Sequence, residues 1–178
     1  MSEQPPEKLV SLVEGLRLAS RGQLLSVSRH VNRLAKDLPR FESVWIDALA
    51  HARILSPYQA GELNAGRGPG LAIGPFLLEQ PLETSGWSQA FRAKDPETQQ
   101  IVRLTRAKCT PALIEQRTTA LQKLLEKANE IENSHVSRVL HSGAQGEWLW
   151  IASEYEEAPS AHAWTVHHGR IPAENVLE

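Results

Sequence analysis

The sequence predicts an α+β chain: a helical leader over residues 1–66, a Gly/Pro-rich joint over 67–73, and a five-stranded antiparallel sheet with one long helix against it. Three observations predict it. Apolar residues in the leader recur at helical spacing between capping signals. The run Gly66-Arg67-Gly68-Pro69-Gly70 then interrupts the pattern as a flexible joint. Beyond it the period changes from that of a helix to that of a strand, with alternating segments on both sides of Asp95-Pro96-Glu97-Thr98.

In the leader, Leu9, Val10, Leu12, Val13, Leu16 and Leu18 make a stripe along a helix from Glu7 to Ser20, which Arg21-Gly22 closes. Val27, Val31 and Leu34 make a second, ending before Pro39. A third, from Phe41 to Arg53, puts Val44, Ala48, Leu49 and Ala52 on one side with Trp45 beside them. The strongest start signal is Ser56-Pro57-Tyr58-Gln59: a cap, a proline at the first helical position and a capping-box glutamine. That helix is expected to end near Asn64, with Gly66 as terminator. Gln23-Leu24-Leu25-Ser26 and Arg53-Ile54-Leu55-Ser56 echo each other 30 residues apart. Two ordinary helix entries sharing Leu-Ser explain this more simply than a duplication. The glycine run is a poor phosphate cradle, because no clear strand precedes it and no clear helix follows.

Ser88–Lys94 and Ile101–Thr105 are expected to pair as a hairpin, since Asp95 and Pro96 carry turn chemistry. The run from Gly74 to Leu82 is a third strand. Thr110 as cap and Pro111 in the first turn begin a helix to about Ile131, with Leu113, Leu121, Leu124, Leu125 and Ala128 periodic. Arg138–His141 and Trp148–Ser153 complete the sheet, joined by a loop over Ser142-Gly143-Ala144-Gln145-Gly146.

Composition narrows the function classes. A net charge of −2 and a pI near 6.4 supply no basic field for nucleic acid or an anionic membrane. Cys109 stands alone, so there is no internal disulfide framework and a cytoplasmic location is expected. No apolar run of about 18 residues suggests a span, so no membrane contact is expected. A metal site at His162, His167 and His168 lacks a cysteine or aligned carboxylate, and a nucleophilic Cys109 lacks a specific base; neither is expected. Trp148 and Trp150 share a strand face and Trp87 lies in the preceding hairpin; core packing is the default, an aromatic docking surface the alternative.

The segment GPFLLEQPLETSGWSQAFRAKDPETQQIVRLT resembles the start of a eukaryotic-like bacterial Ser/Thr protein kinase domain. ILSPYQAGELNAGRGPGLAIGPF resembles the helical lead-in of planctomycete-type members, which resembles a helix-pair docking module. In that register the three glycines of the G-x-G-x-x-G-x-V loop fall on Glu83, Ser85 and Ser88, and its valine on Ala90. The alanine and lysine of V-A-I-K fall on Arg103 and Thr105. Glycines let backbone N–H groups approach phosphate and the lysine supplies a point charge; Glu83 brings negative charge, and Thr105 offers one neutral hydroxyl. The helix from Thr110 corresponds to the regulatory helix, and Asn133-Ser134-His135-Val136-Ser137 to the segment after it. This puts Leu124 where the lysine-pairing glutamate belongs.

The last two strands correspond to those preceding the hinge, with Ser153 as gatekeeper and Glu154-Tyr155-Glu156 as hinge. Backbone groups there would meet adenine, so these residues are the one residual cofactor-binding possibility. Glu154, Glu156 and Glu157 otherwise read as a solvated acidic stretch. Residues 158–178 resemble the first C-lobe helices. Neither His-Arg-Asp nor Asp-Phe-Gly occurs, so no complete kinase site is expected within this chain. The resemblance therefore implies a non-catalytic, pseudokinase-like regulatory or scaffolding module over residues 74–157, with no cofactor and no metal. Its expected partner is another protein or the remainder of a longer chain. Two alternatives stay open: the N-terminal part of a divergent active kinase binding ATP and magnesium, or a ligand-sensing or homo-oligomerising leader.

Overall fold

The computed structural model describes residues 4–35, 39, 41–131, 133, 136–158, 165–166 and 169–170. Among these, five helices open the chain: α1 (Glu7–Gly15), α2 (Arg21–Ser26), α3 (Ser28–Ala35), α4 (Glu42–His51) and α5 (Pro57–Asn64). The helix predicted to reach Ser20 stops at Gly15. Arg17 takes a left-handed φ of 57°, and Leu18 N–H turns back to the Val13 carbonyl at 2.8 Å. Ser20 then starts α2 through a capping box with Gln23. The second predicted stripe is consequently two helices divided at Val27, whose N–H bonds to the Leu24 carbonyl.

The leader is one unit built twice, in a register different from the predicted echo. Gln23–Ser26 lie inside α2, whereas Arg53–Ser56 form the turn before α5, so those two segments are not equivalent. The true match joins Arg17 to Arg53, thirty-six residues later. Both take φ 57°. Ile54 N–H bonds to Leu49 O as Leu18 N–H does to Val13 O, and Ser56 and Gln59 repeat the Ser20–Gln23 box. The buried positions agree: Leu9, Val10, Val13, Ala19, Leu24 and Val27 in the first copy match Trp45, Ile46, Leu49, Leu55, Ala60 and Leu63 in the second.

After α5 the glycine run winds into a short 3-10 helix, Gly68–Leu71, with Leu71 buried. The sheet follows: β1 (Ala72–Ile73), β2 (Phe76–Thr84), β3 (Ser88–Lys94), β4 (Ile101–Lys108), β5 (Val139–Gln145) and β6 (Trp148–Glu154). Its order is β1-β2-β3-β4-β6-β5, antiparallel throughout. There are six strands where alternation predicts five, because Ala72–Ile73 is too short to show a period. The predicted loop 142–146 is also mostly strand. Gly143 and Ala144 pair with Trp150 and Leu149, leaving a tight turn with Gly146 at φ 60°.

Alternation divides the sheet into two faces. Leu78, Phe91, Ala93, Val102, Leu104, Trp150 and Ala152 share one continuous buried cluster with the leader residues. Polar stitches reinforce the contact: the buried Gln59 amide donates to Leu78 O at 2.9 Å, and Ser56 Oγ donates to Glu79 O. Ser56→Ala removes both the cap and one stitch, and should cost about 1–2 kcal/mol in urea unfolding.

The long helix α6 (Pro111–Asn129) is attached more lightly. Thr110 precedes it but makes no side-chain cap bond, contrary to expectation, and none of the helix's 19 residues is buried. Ile114, Thr118, Leu121, Leu125 and Ala128 form its half-buried side. The Asn129 side chain fixes its end, accepting from Val139 N–H at 3.0 Å and donating to Val139 O at 2.7 Å. No helix among the described residues is long and apolar enough to cross a membrane.

Candidate functional site

The face of the sheet opposite Phe91 and Leu104 gathers Glu83, Ala90, Arg103, Thr105 and Ser153. Glu83 pairs across the ladder with Ala90, Ala90 with Thr105, and Arg103 with both Arg92 and Ser153. Arg92 and Arg103 are thus like charges directly opposite each other, a destabilising arrangement unless something intervenes. Two β2 glutamates do so. Arg103 Nη2 donates to Glu83 Oε2 at 3.0 Å, and Arg92 pairs with Glu79. Glu83 and Arg103 are therefore bonded to each other across β3.

The turn between β2 and β3 binds its own donors. Ser85 N–H goes to Ser88 O at 2.8 Å, while Ser85 Oγ accepts from Ser88 N–H at 3.0 Å and Trp87 N–H at 3.4 Å. The Ser85 and Ser88 hydroxyls are also 2.9 Å apart. Three N–H groups that a phosphate loop would turn outward are engaged within the turn. Trp87 stands out from it, 75% exposed, so this tryptophan is not in the core.

In the stretch likened above to a hinge, Ser153 and Glu154 belong to β6, and Glu154 N–H donates to Arg138 O at 3.0 Å. Its carboxylate accepts from Arg138 N–H at 3.1 Å. The Glu154 N–H is thereby committed within the sheet. Tyr155 lies under the Arg92 guanidinium, 5.8 Å from ring centroid to cation, and Glu156 is exposed beyond it. Leu124 is not brought to this site: it is 64% exposed on the outer side of α6.

No family model matches the chain, and no curated protein matches it either. On the leader face, Arg106 lies over the Phe91 and Trp148 rings at 4.8 and 4.4 Å, and burial lowers its pKa. Burial likewise raises the Tyr58 hydroxyl, and the Glu62 carboxylate adds to it. In the β3–β4 turn the Asp95 carboxylate is held below its ordinary range, chiefly by the N–H of Glu97 at 2.8 Å. Trp150 is a core residue, as the default reading has it, and Trp148 is half-covered beneath Arg106.

Cys109 is a free, half-buried thiol whose N–H bonds to Glu147 O at 2.8 Å. Among the described residues no three His, Cys, Asp or Glu side chains gather as a metal would require. His162, His167 and His168, Ser134 and His135, and the stretch resembling a C-lobe beyond Ala158, apart from 165–166 and 169–170, lie outside the described residues. Sequence reasoning missed Glu79 and Arg92. Their signal was the Arg92–Arg103 opposition, visible once the hairpin register is drawn.

Proposed function

We propose that this chain is a non-catalytic, pseudokinase-like regulatory or scaffolding module that acts by presenting a folded surface to a protein partner. The Glu83–Arg103 ion pair carries the reading. A phosphate-binding flap needs backbone donors and an unopposed cation facing one point. Here Arg103 is held by Glu83, a carboxylate of the flap itself, and Thr105 contributes no charge. An incoming phosphate would meet Glu83 and would have to displace it from Arg103. The self-bonded Ser85–Ser88 turn and the engaged Glu154 N–H support the same conclusion.

The test is a thermal melt with ATP and magnesium. The expected result is an unchanged Tm at millimolar nucleotide. Ligand at about ten times its Kd would add about 1.4 kcal/mol and raise Tm by ~3 °C or more. Such a rise would overturn the reading in favour of a divergent nucleotide-binding lobe.

A further inference from the structure

A groove of about 930 Å³ lies where the second leader unit meets β2. His51, Arg53, Tyr58, Glu79 and Arg92 supply its titratable and charged groups. Glu79 is taken by Arg92, and the His51 ring lies 5.3 Å from that of His30. Arg53 is exposed, held at φ 57°, and no carboxylate among the described residues pairs with it. The charge left open in the groove is therefore positive.

The first leader unit shows what this position takes. Arg17, the counterpart of Arg53 in backbone conformation and in flanking hydrogen bonds, pairs with Glu97 of the Asp95-Pro96-Glu97-Thr98 turn. One copy of the arginine holds an acidic turn of this chain; the other lines the groove with no carboxylate partner among the described residues. We infer that the Arg53 groove docks an acidic turn of a separate protein, the guanidinium receiving a carboxylate as Arg17 receives Glu97. Charge complementarity and the filled first copy select this occupant. Addition of a partner strand along β2 is disfavoured, because Pro81, two register shifts and the bonds from Ser56 and Gln59 disrupt that edge. The inference rests on the protein-partner reading above and names its docking site.

The probe is a fluorescein-labelled peptide with the sequence of residues 93–101, Ala-Lys-Asp-Pro-Glu-Thr-Gln-Gln-Ile. Fluorescence polarisation should show saturable binding, weakened about tenfold or more when its Glu is replaced by Gln. Arg53→Gly should weaken it equally without lowering Tm, since glycine adopts a left-handed φ without strain. Arg17→Gly should leave the affinity unchanged within about twofold. Absence of binding, equal binding by the Gln peptide, or loss on Arg17→Gly alone overturns the proposal. So does a dimer in sedimentation that Arg53→Gly dissolves, which would make the occupant a second copy of this chain. The ATP melt reads separately: a flat melt with no peptide binding removes this docking site and leaves the non-catalytic reading in place.

Discussion

Trp45→Ala is expected to lower unfolding stability by ~3–5 kcal/mol, and to do so for the sheet as much as for the helix that carries it. Trp45 is 1% exposed at the centre of the second leader unit, and the buried cluster runs unbroken from it to Leu104 and Ala152 in the sheet. Cavity formation at Trp45 therefore removes support from both layers. Urea unfolding followed by far-ultraviolet circular dichroism and by tryptophan fluorescence should give coincident transitions, in the variant and in the parent. Separate transitions, with the sheet signal unmoved by the substitution, would show the leader and sheet to be independent units. The shared core makes such a separation unexpected, because Gln59 and Ser56 also bind β2 carbonyls directly.

The sequence made some elements legible and hid others for identifiable physical reasons. β3, β4 and the turn between them are readable because Asp95 and Pro96 fix the turn and one sheet face is buried, giving true alternation. α5 is readable because Ser56, Pro57 and Gln59 satisfy its first N–H groups. Helix ends at Gly15 and His51 were hidden because the left-handed residue after each is arginine, where glycine is the usual signal. The internal repeat was hidden by its own divergence. Arg17 matches Arg53 and Ser20 matches Ser56, but Leu9 faces Trp45 and Gly22 faces Tyr58, so only backbone geometry and burial expose the register.

The candidate site divides in the same way. That Glu83, Ser85, Ser88, Arg103 and Thr105 differ from the glycines and lysine of a phosphate-binding flap can be read from side-chain chemistry alone. That Glu83 and Arg103 neutralise each other depends on strand register, which puts them on one face of three adjacent strands. The charge of Arg53 could be read directly, whereas its lack of a carboxylate partner among the described residues is a property of the folded surface.

Gly143→Ala is expected to cost ~1–3 kcal/mol, and most of that should vanish in a Trp150→Leu background. A Cβ on Gly143 would lie 2.7 Å from Trp150 Cζ2, closer than packed carbons allow, and the indole is held in place by Phe76 in an edge-on contact at 6.1 Å. Trp150→Leu removes the obstructing ring atoms. It also removes a buried Nε1–H that has no hydrogen-bond partner among the described residues, so part of its cavity cost is offset. Gly74 provides the contrast. Its Cβ would come within 2.5 Å of the same ring, but Gly74 also takes φ 57°. Gly74→Ala should therefore regain only the steric share in the Trp150→Leu background, retaining about 1 kcal/mol of left-handed backbone cost. A urea double-mutant cycle measures both couplings. Equal and complete rescue at the two glycines would show that ring contact alone selects glycine at each; no rescue at Gly143 would mean that Trp150 does not set the approach of β5 to β6.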